Sequence, residues 1–144
     1  MSETPAQYGP APAYTWPVRV YYEDTDAGGV VYYANYLRFL ERARTEWLRE
    51  LGYDQGVLAK EQGVLFVVRA VNIDYLRPSF YDDRLQITVE PAKVGGTSIE
   101  FAQRVLREHE VLATASVRVV CVDTGSFKPA RLPQPLATKI RTAQ

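Results

Sequence analysis

The sequence predicts an α+β domain in which one long helix is wrapped by an antiparallel sheet, in the order β-α-β-β-β-β. Three observations predict it: a helical apolar stripe from Leu37 to Leu51, an alternating strand ahead of that helix, and four later strand-like segments parted by turn residues. A helix with one apolar stripe cannot stay isolated, and hairpin-linked strands need one face covered. The economical packing therefore lays the sheet around the helix.

Residues 1–16 contain Pro5, Pro10 and Pro12 and show neither a period-2 nor a period-3.6 pattern, so a disordered leader is expected, with structure beginning near Pro17. Val18, Val20 and Tyr22 alternate with Arg19, Tyr21 and Glu23, which reads as a half-buried strand ending at the acidic turn Glu23 to Asp26. Gly28 and Gly29 then permit backbone conformations closed to other residues. In the helix that follows, Leu37, Leu40, Ala43, Trp47, Leu48 and Leu51 share one side. Charged residues fill the other, with Arg42 and Glu46 spaced for an i,i+4 pair. Gly52 sits where a helix stop is expected.

A short helical piece near Gln55 to Gln62 precedes the four strands, Val64 to Leu76, Arg84 to Val94, Thr97 to Arg107 and Val111 to Asp123. Tyr81 to Asp83, Gly95-Gly96 and Glu108 to Glu110 supply the turns. The last strand keeps small residues, among them Ala113, Ala115, Val117 and Cys121, on one face. That suits close approach of a helix or a second sheet. Its edge is expected to be exposed in a monomer and to pair into a dimer. The domain is taken as 17–135, with 136–144 as a C-terminal tail.

A chain of 144 residues fits one domain that needs no disulfide or metal staple. Seventeen basic against seventeen acidic residues leave no net charge, which argues against nucleic acid or an anionic membrane as the main partner. Cys121, the single cysteine, falls in a Val-rich run and reads as a buried small hydrophobe. No stretch reaches the ~18 apolar residues of a membrane span, and the first residues lack a signal-peptide pattern. A soluble, cytoplasmic chain is expected. His109, between Glu108 and Glu110 at an apparent hairpin tip, reads as an exposed turn residue without partners for a metal.

The run Val18 to Arg49, VRVYYEDTDAGGVVYYANYLRFLERARTEWLR, resembles the acyl-CoA thioesterases associated with the Tol-Pal system, the YbgC family of hotdog proteins. Weaker similarity continues through FVVRAVNIDYLRPSFYDD, the GGTS turn and VVCVD to FKPARLP, so nearly all of 17–135 is covered. The resemblance implies a hotdog fold, a central helix wrapped by a five-stranded antiparallel sheet. It also implies homo-oligomers, dimers or tetramers, with active sites at the subunit interface. The implied substrate is an acyl-CoA, with acyl carrier protein as an alternative thiol carrier. Coenzyme A is then part of the substrate, and neither a resident cofactor nor a metal is expected. The family's catalytic aspartate maps onto Asp26. Where its members usually carry a histidine after VVY this chain has Tyr33, as do the related 4-hydroxybenzoyl-CoA thioesterases.

A thioester is cleaved when an oxygen attacks its carbonyl and preoriented donors stabilise the charge growing on the carbonyl oxygen. A helix start offers unpaired N–H groups carrying roughly half a positive charge. Tyr33, at or just before the first turn, is the candidate to donate its backbone N–H, and Gly29 is a second candidate contact for substrate. Asp26 either attacks the carbonyl to form a mixed anhydride or activates a water molecule. Asp24 and Thr25 read as turn residues bonding the local backbone. Glu41 reads as an ion-pairing or interface carboxylate. Lys93, Lys128 and Arg131 are candidates for the phosphates of coenzyme A.

Two rival readings stand beside this one. A hotdog dehydratase acting on acyl carrier protein would rely on a histidine, and His109 is badly placed for that. A non-catalytic acyl-CoA-binding or scaffold protein linked to envelope and phospholipid metabolism would keep the fold without needing Asp26.

Overall fold

The computed structural model describes residues 14–143. Its elements run β1 (Tyr14–Arg19), α1 (Asn35–Glu50), α2 (Gln55–Gln62), β2 (Val64–Tyr75), β3 (Arg84–Val94), β4 (Ser98–Arg107), β5 (Glu110–Asp123) and α3 (Gln134–Ala143). The strands form one antiparallel sheet in the order β1-β3-β4-β5-β2, with α1 packed across one face. This is the wrapped-helix, hotdog arrangement expected from the sequence.

Helix α1 buries Tyr36, Phe39, Leu40, Ala43, Trp47 and Leu48, a stripe at intervals of three and four residues. Against it stand the alternating residues Ile99, Phe101 and Val105 of β4. The Trp47 and Phe101 rings meet edge to face at 5.2 Å, a contact worth ~1 kcal/mol beyond the area it buries. One polar side chain, Gln103, lies inside this seam. Its amide donates to the carbonyls of Leu40 and Thr88, both at 3.2 Å, and its oxygen accepts from Arg44 at 2.9 Å. Helix and sheet are thereby tied without leaving a buried polar group unpaired. Leu37, expected on the stripe, is 42% exposed. It lies ~100° around the helix from Tyr36 and faces the margin beside β2 rather than the core.

Four expectations are corrected. First, β1 begins at Tyr14 rather than near Pro17, pairing from Tyr14↔Val89 to Arg19↔Arg84. Pro17 is tolerated because β1 is an edge strand, where a missing N–H on the outer side removes no ladder bond. The rest of the expected leader, 1–13, lies outside the described residues. Second, β1 stops at Arg19, and Tyr22–Asp24 form a 3-10 turn closed by the Tyr21 N–H on the Asp24 carboxylate at 2.8 Å.

Third, β5 is not an edge strand. It lies between β4 and β2, and the segment after Tyr75 crosses to β3 instead of making a hairpin, so β2 becomes the outer strand. A bulge between Val68 and Ala70 sets Val68 and Val71 on one face, 48% and 40% exposed. Fourth, the segment taken as a tail contains helix α3. Leu136, Ala137 and Ile140 are buried in the core, and Lys139 Nζ donates to the Leu51 carbonyl at the end of α1. The boundary at 135 therefore falls inside a helix. Cys121 is buried, which pushes its thiol up, as suits a packing residue.

Candidate active site

Between β1 and α1 the chain folds back on itself. Thr25 bridges Val31, the Asp26 N–H donates to the Val30 carbonyl at 2.9 Å, and the Gly29 N–H returns to the Asp26 carbonyl at 3.0 Å. Gly29 adopts φ +83°, a left-handed conformation that favours glycine. The Gly28 N–H donates to Asp26 Oδ1 at 2.8 Å, and a Cβ at Gly28 would lie 3.3 Å from that oxygen. Both glycines thus serve the turn that presents Asp26. Asp24 takes the structural role expected of it, with one oxygen on the Tyr21 N–H and the other on the Asn35 amide at 2.7 Å. In the single chain Asp26 is exposed. It borders an open cleft beside the start of α1 together with Asp24, Tyr32, Asn35 and Arg38.

The start of α1 has an alanine, Ala34, at its N-cap and no side-chain cap. Capping residues are usually Ser, Thr, Asp or Asn, and their absence costs about 1 kcal/mol. The N–H groups of Asn35, Tyr36 and Leu37 turn back onto the carbonyls of Tyr32, Tyr33 and Ala34. Those of Tyr33 and Ala34 find no acceptor among the described residues. The Tyr33 ring is 60% exposed, stacked obliquely on Tyr32 at 4.9 Å.

The wall behind this loop is built from the segment after β2. Val31 donates to the Ser79 carbonyl at 2.8 Å, and Val30 bridges Phe80. The hydroxyls of Tyr36 and Ser79 meet at 2.6 Å, and burial pushes the Tyr36 phenol up. Arg107 braces the same segment through Asp83 at 2.8 Å, the Pro78 carbonyl at 3.2 Å and Glu110 at 2.7 Å. Those carboxylates hold its guanidinium pKa above the usual value.

Other sequence candidates lie elsewhere. Lys93 lies next to the last residue of β3, and Lys128 and Arg131 sit in the segment after β5, which the Leu132 N–H fastens to the Gly96 carbonyl at 2.9 Å. The Asp26 loop meets the opposite end of β3, through Val20 and Asp83. The length of β3 separates the two groups by ~30 Å at about 3.3 Å per residue. Within one chain the structure does not bring the basic set to Asp26. Among the described residues Glu41 makes no ion pair and accepts from Thr45 at 3.1 Å, while Glu46 pairs with Arg49 rather than Arg42. His109 is exposed at the β4–β5 tip. Sequence reading missed Tyr75 and Ser79, whose partners are distant in the chain.

A small apolar pocket lies farther along α1, bounded by Trp47, Phe66, Ile99, Phe101 and Val119, with Arg44 at its margin. Twelve residues of helix, ~18 Å at 1.5 Å each, part Trp47 from Asn35. Burial lowers the Arg44 guanidinium to about 10.

A profile of the thioesterase-like superfamily matches residues 20–140. The chain belongs to this superfamily. The acyl-CoA thioesterase YbgC of Haemophilus influenzae is 50% identical over 121 residues, 84% of this chain and 89% of that protein. The acyl-CoA thioester hydrolase YbgC of Escherichia coli O6:H1 is 48% identical over 129 residues, 89% of this chain and 96% of that one. Among solved structures, a probable thioesterase from Bartonella henselae superposes with a TM-score of 0.80 at 37% identity, covering 83% of this chain and 98% of its own. A 1,4-dihydroxy-2-naphthoyl-CoA thioesterase from Synechocystis gives a TM-score of 0.83 at 25% identity, covering 89% and 95%. The family resemblance carried by Val18 to Arg49 therefore extends over most of this thioesterase-like chain. Among its described residues no helix is long and apolar enough to cross a membrane, and no cluster of His, Cys, Asp and Glu is placed to hold a metal ion.

Proposed function

We propose that the chain is an acyl-CoA thioesterase in which Asp26 supplies the attacking oxygen, or the base that activates water, and the amides at the start of α1 receive the carbonyl oxygen. One observation carries this reading. At the start of α1 the Tyr33 and Ala34 N–H groups find no acceptor among the described residues, and they stand beside a cleft that Asp26 borders. Donors of this kind gain strength when substrate excludes water, and losing one typically costs about 100-fold or more in rate. The names of the Haemophilus and Escherichia relatives support an acyl-CoA thioester as substrate.

Two chemical routes fit the arrangement. In one, an Asp26 oxygen adds to the thioester carbon, the C–S bond breaks, and the coenzyme A thiolate leaves and takes a proton from solvent. Water then cleaves the mixed anhydride to the free acid and restores the carboxylate. In the other, Asp26 takes a proton from a water molecule as that water adds to the same carbon; the C–S bond then breaks, the leaving coenzyme A thiolate takes that proton from Asp26, and the free acid departs.

The reading also includes a second copy of the chain. Strand β2 runs from Val64, paired with Asp123, to Tyr75, paired with Ala113. Its Tyr75 end lies beside the Asp26 loop, and its Val64 end lies beside the segment bearing Lys128 and Arg131. Antiparallel pairing of two β2 edges would set the basic end of one chain next to the Asp26 end of the other. It would also cover Leu37, Val68 and Val71. The coenzyme's phosphates would then meet Lys128 and Arg131 across the interface, with a tetramer formed from two such pairs. A cytoplasmic location, acyl carrier protein as a second thiol carrier, and a link to the Tol-Pal envelope machinery belong to this reading through the resemblance to YbgC proteins.

The test is release of free thiol from short, long and aromatic acyl-CoAs. Hydrolysis of at least one class is expected. Binding of all classes without turnover would overturn the reading in favour of a non-catalytic acyl-CoA-binding protein.

A further inference from the structure

Tyr75 ends the edge strand β2, and neither chemical route above uses it. Its phenol donates to the Tyr33 carbonyl oxygen at 3.1 Å. Its ring stands edge-on to Tyr33 at 5.7 Å and tilted against Tyr36 at 5.6 Å. The Tyr33 carbonyl also accepts the Tyr36 N–H, at 3.2 Å. That oxygen is therefore gripped from two directions, by the helix and by the sheet edge.

The grip has a geometric consequence. The Tyr33 carbonyl and the Ala34 N–H belong to one planar trans peptide unit and point in opposite directions. Fixing the oxygen fixes the direction of the Ala34 N–H, which finds no acceptor among the described residues. The Tyr33 N–H, in the preceding unit, shares the same pivot. Neither amide is held by an acceptor of its own among the described residues, so the carbonyl side is where this peptide unit is restrained. A donor on the carbonyl side orients the pair while leaving both N–H groups free for a ligand.

We infer that Tyr75 is a positioning residue, whose phenol holds the Tyr33–Ala34 peptide plane so that the two free amides converge on the thioester oxygen. The inference rests on the proposed role of the α1 start. Burial, and then the neighbouring Tyr33 and Tyr36 phenols, push the Tyr75 phenol up, so it keeps its proton and remains a donor at neutral and mildly alkaline pH. Because Tyr75 closes the outer strand, the donor geometry is coupled to the same β2 edge that would pair with a second copy.

The experiment compares Tyr75→Phe with the full-length parent protein and with Asp26→Asn, using an acyl-CoA the parent hydrolyses. Phenylalanine keeps the ring contacts and removes only the donor. The expected result is a fall in kcat of about tenfold, the scale of a modest misalignment at a reacting centre, with KM within about twofold of the parent and an unchanged melting temperature. Placing 4-aminophenylalanine at position 75 restores a donor and should recover most of the lost kcat. Parent-like kcat in Tyr75→Phe, or a loss that the amino analogue does not repair, would overturn the inference. With Asp26→Asn inactive and Tyr75→Phe unaffected, only the positioning role falls. With Asp26→Asn fully active, the reading of the site falls as well.

Discussion

The hydroxyls of Tyr36 and Ser79 meet at 2.6 Å inside the wall that separates the first turn of α1 from the segment following β2. Ser79 is fully buried and its carbonyl holds Val31, so this contact links the helix start, the Asp26 loop and the sheet. In Tyr36→Phe the buried Ser79 hydroxyl loses that partner. The expected cost is ~1–3 kcal/mol, read as a lower denaturant midpoint at constant m-value. A change within experimental error would show that the contact does not tie the loop down.

The side chain of Tyr33 and its backbone have separable roles. If the backbone N–H alone binds the thioester oxygen, Tyr33→Phe should keep most of the parent kcat. A collapse comparable to that of an Asp26 variant would mean that the exposed phenol takes part in the chemistry.

Exposed Val68 and Val71 at the β2 edge are expected to be covered in an oligomer. Val71→Asp would place a charge on that exposed apolar face and should shift sedimentation towards the monomer, with activity lost at dilutions where the parent remains active. An active, well-folded monomeric parent would contradict a site shared between copies.

Two exposed carboxylates give the stability curve an acid limb. Backbone N–H groups hold Asp54 at the start of α2, and Asp123 at the end of β5, below the usual carboxylate range. Groups depressed in the folded state add stability above their unfolded value, near pH 4, and lose it as pH falls through the folded value. Asp54→Asn with Asp123→Asn should flatten the fall in melting temperature below about pH 4. An unchanged acid limb in the double variant would assign that loss to other groups.

Local patterns carried much of the fold but not its closure. The bounds of β3 and α2 follow from local pattern and turn residues, because each is a local property of the chain. Leu37 was misplaced because apolarity alone does not mark where a stripe ends. The strand order was hidden for a different reason. Whether Leu76 to Asp83 turns back as a hairpin or crosses the sheet depends on what pairs with β5, which no local signal records. Helix α3 was overlooked because its apolar stripe is only Leu136, Ala137 and Ile140. At the site, Asp26, Gly29 and Tyr33 lie in one continuous motif. Tyr75 and Ser79 reach it across 42 and 43 residues of sequence, leaving no trace in the spacing.

The route of attack is open to a direct isotope test. Hydrolysis in oxygen-18 water over many turnovers would place label in the Asp26 carboxylate if a mixed anhydride forms and water opens it at the Asp26 carbonyl. Label confined to the released acid, with no acyl group trapped on Asp26 by hydroxylamine, would assign Asp26 to water activation.

The central claim is that the Asp26 carboxylate is required for thioester cleavage at the uncapped start of α1. Its most direct test is the turnover of Asp26→Asn, which keeps an oxygen for the Gly28 N–H and removes the charge, on an acyl-CoA that the parent cleaves. The expected result is a loss of at least about 100-fold in kcat with the fold and oligomer intact. Parent-like turnover in that variant would contradict the claim.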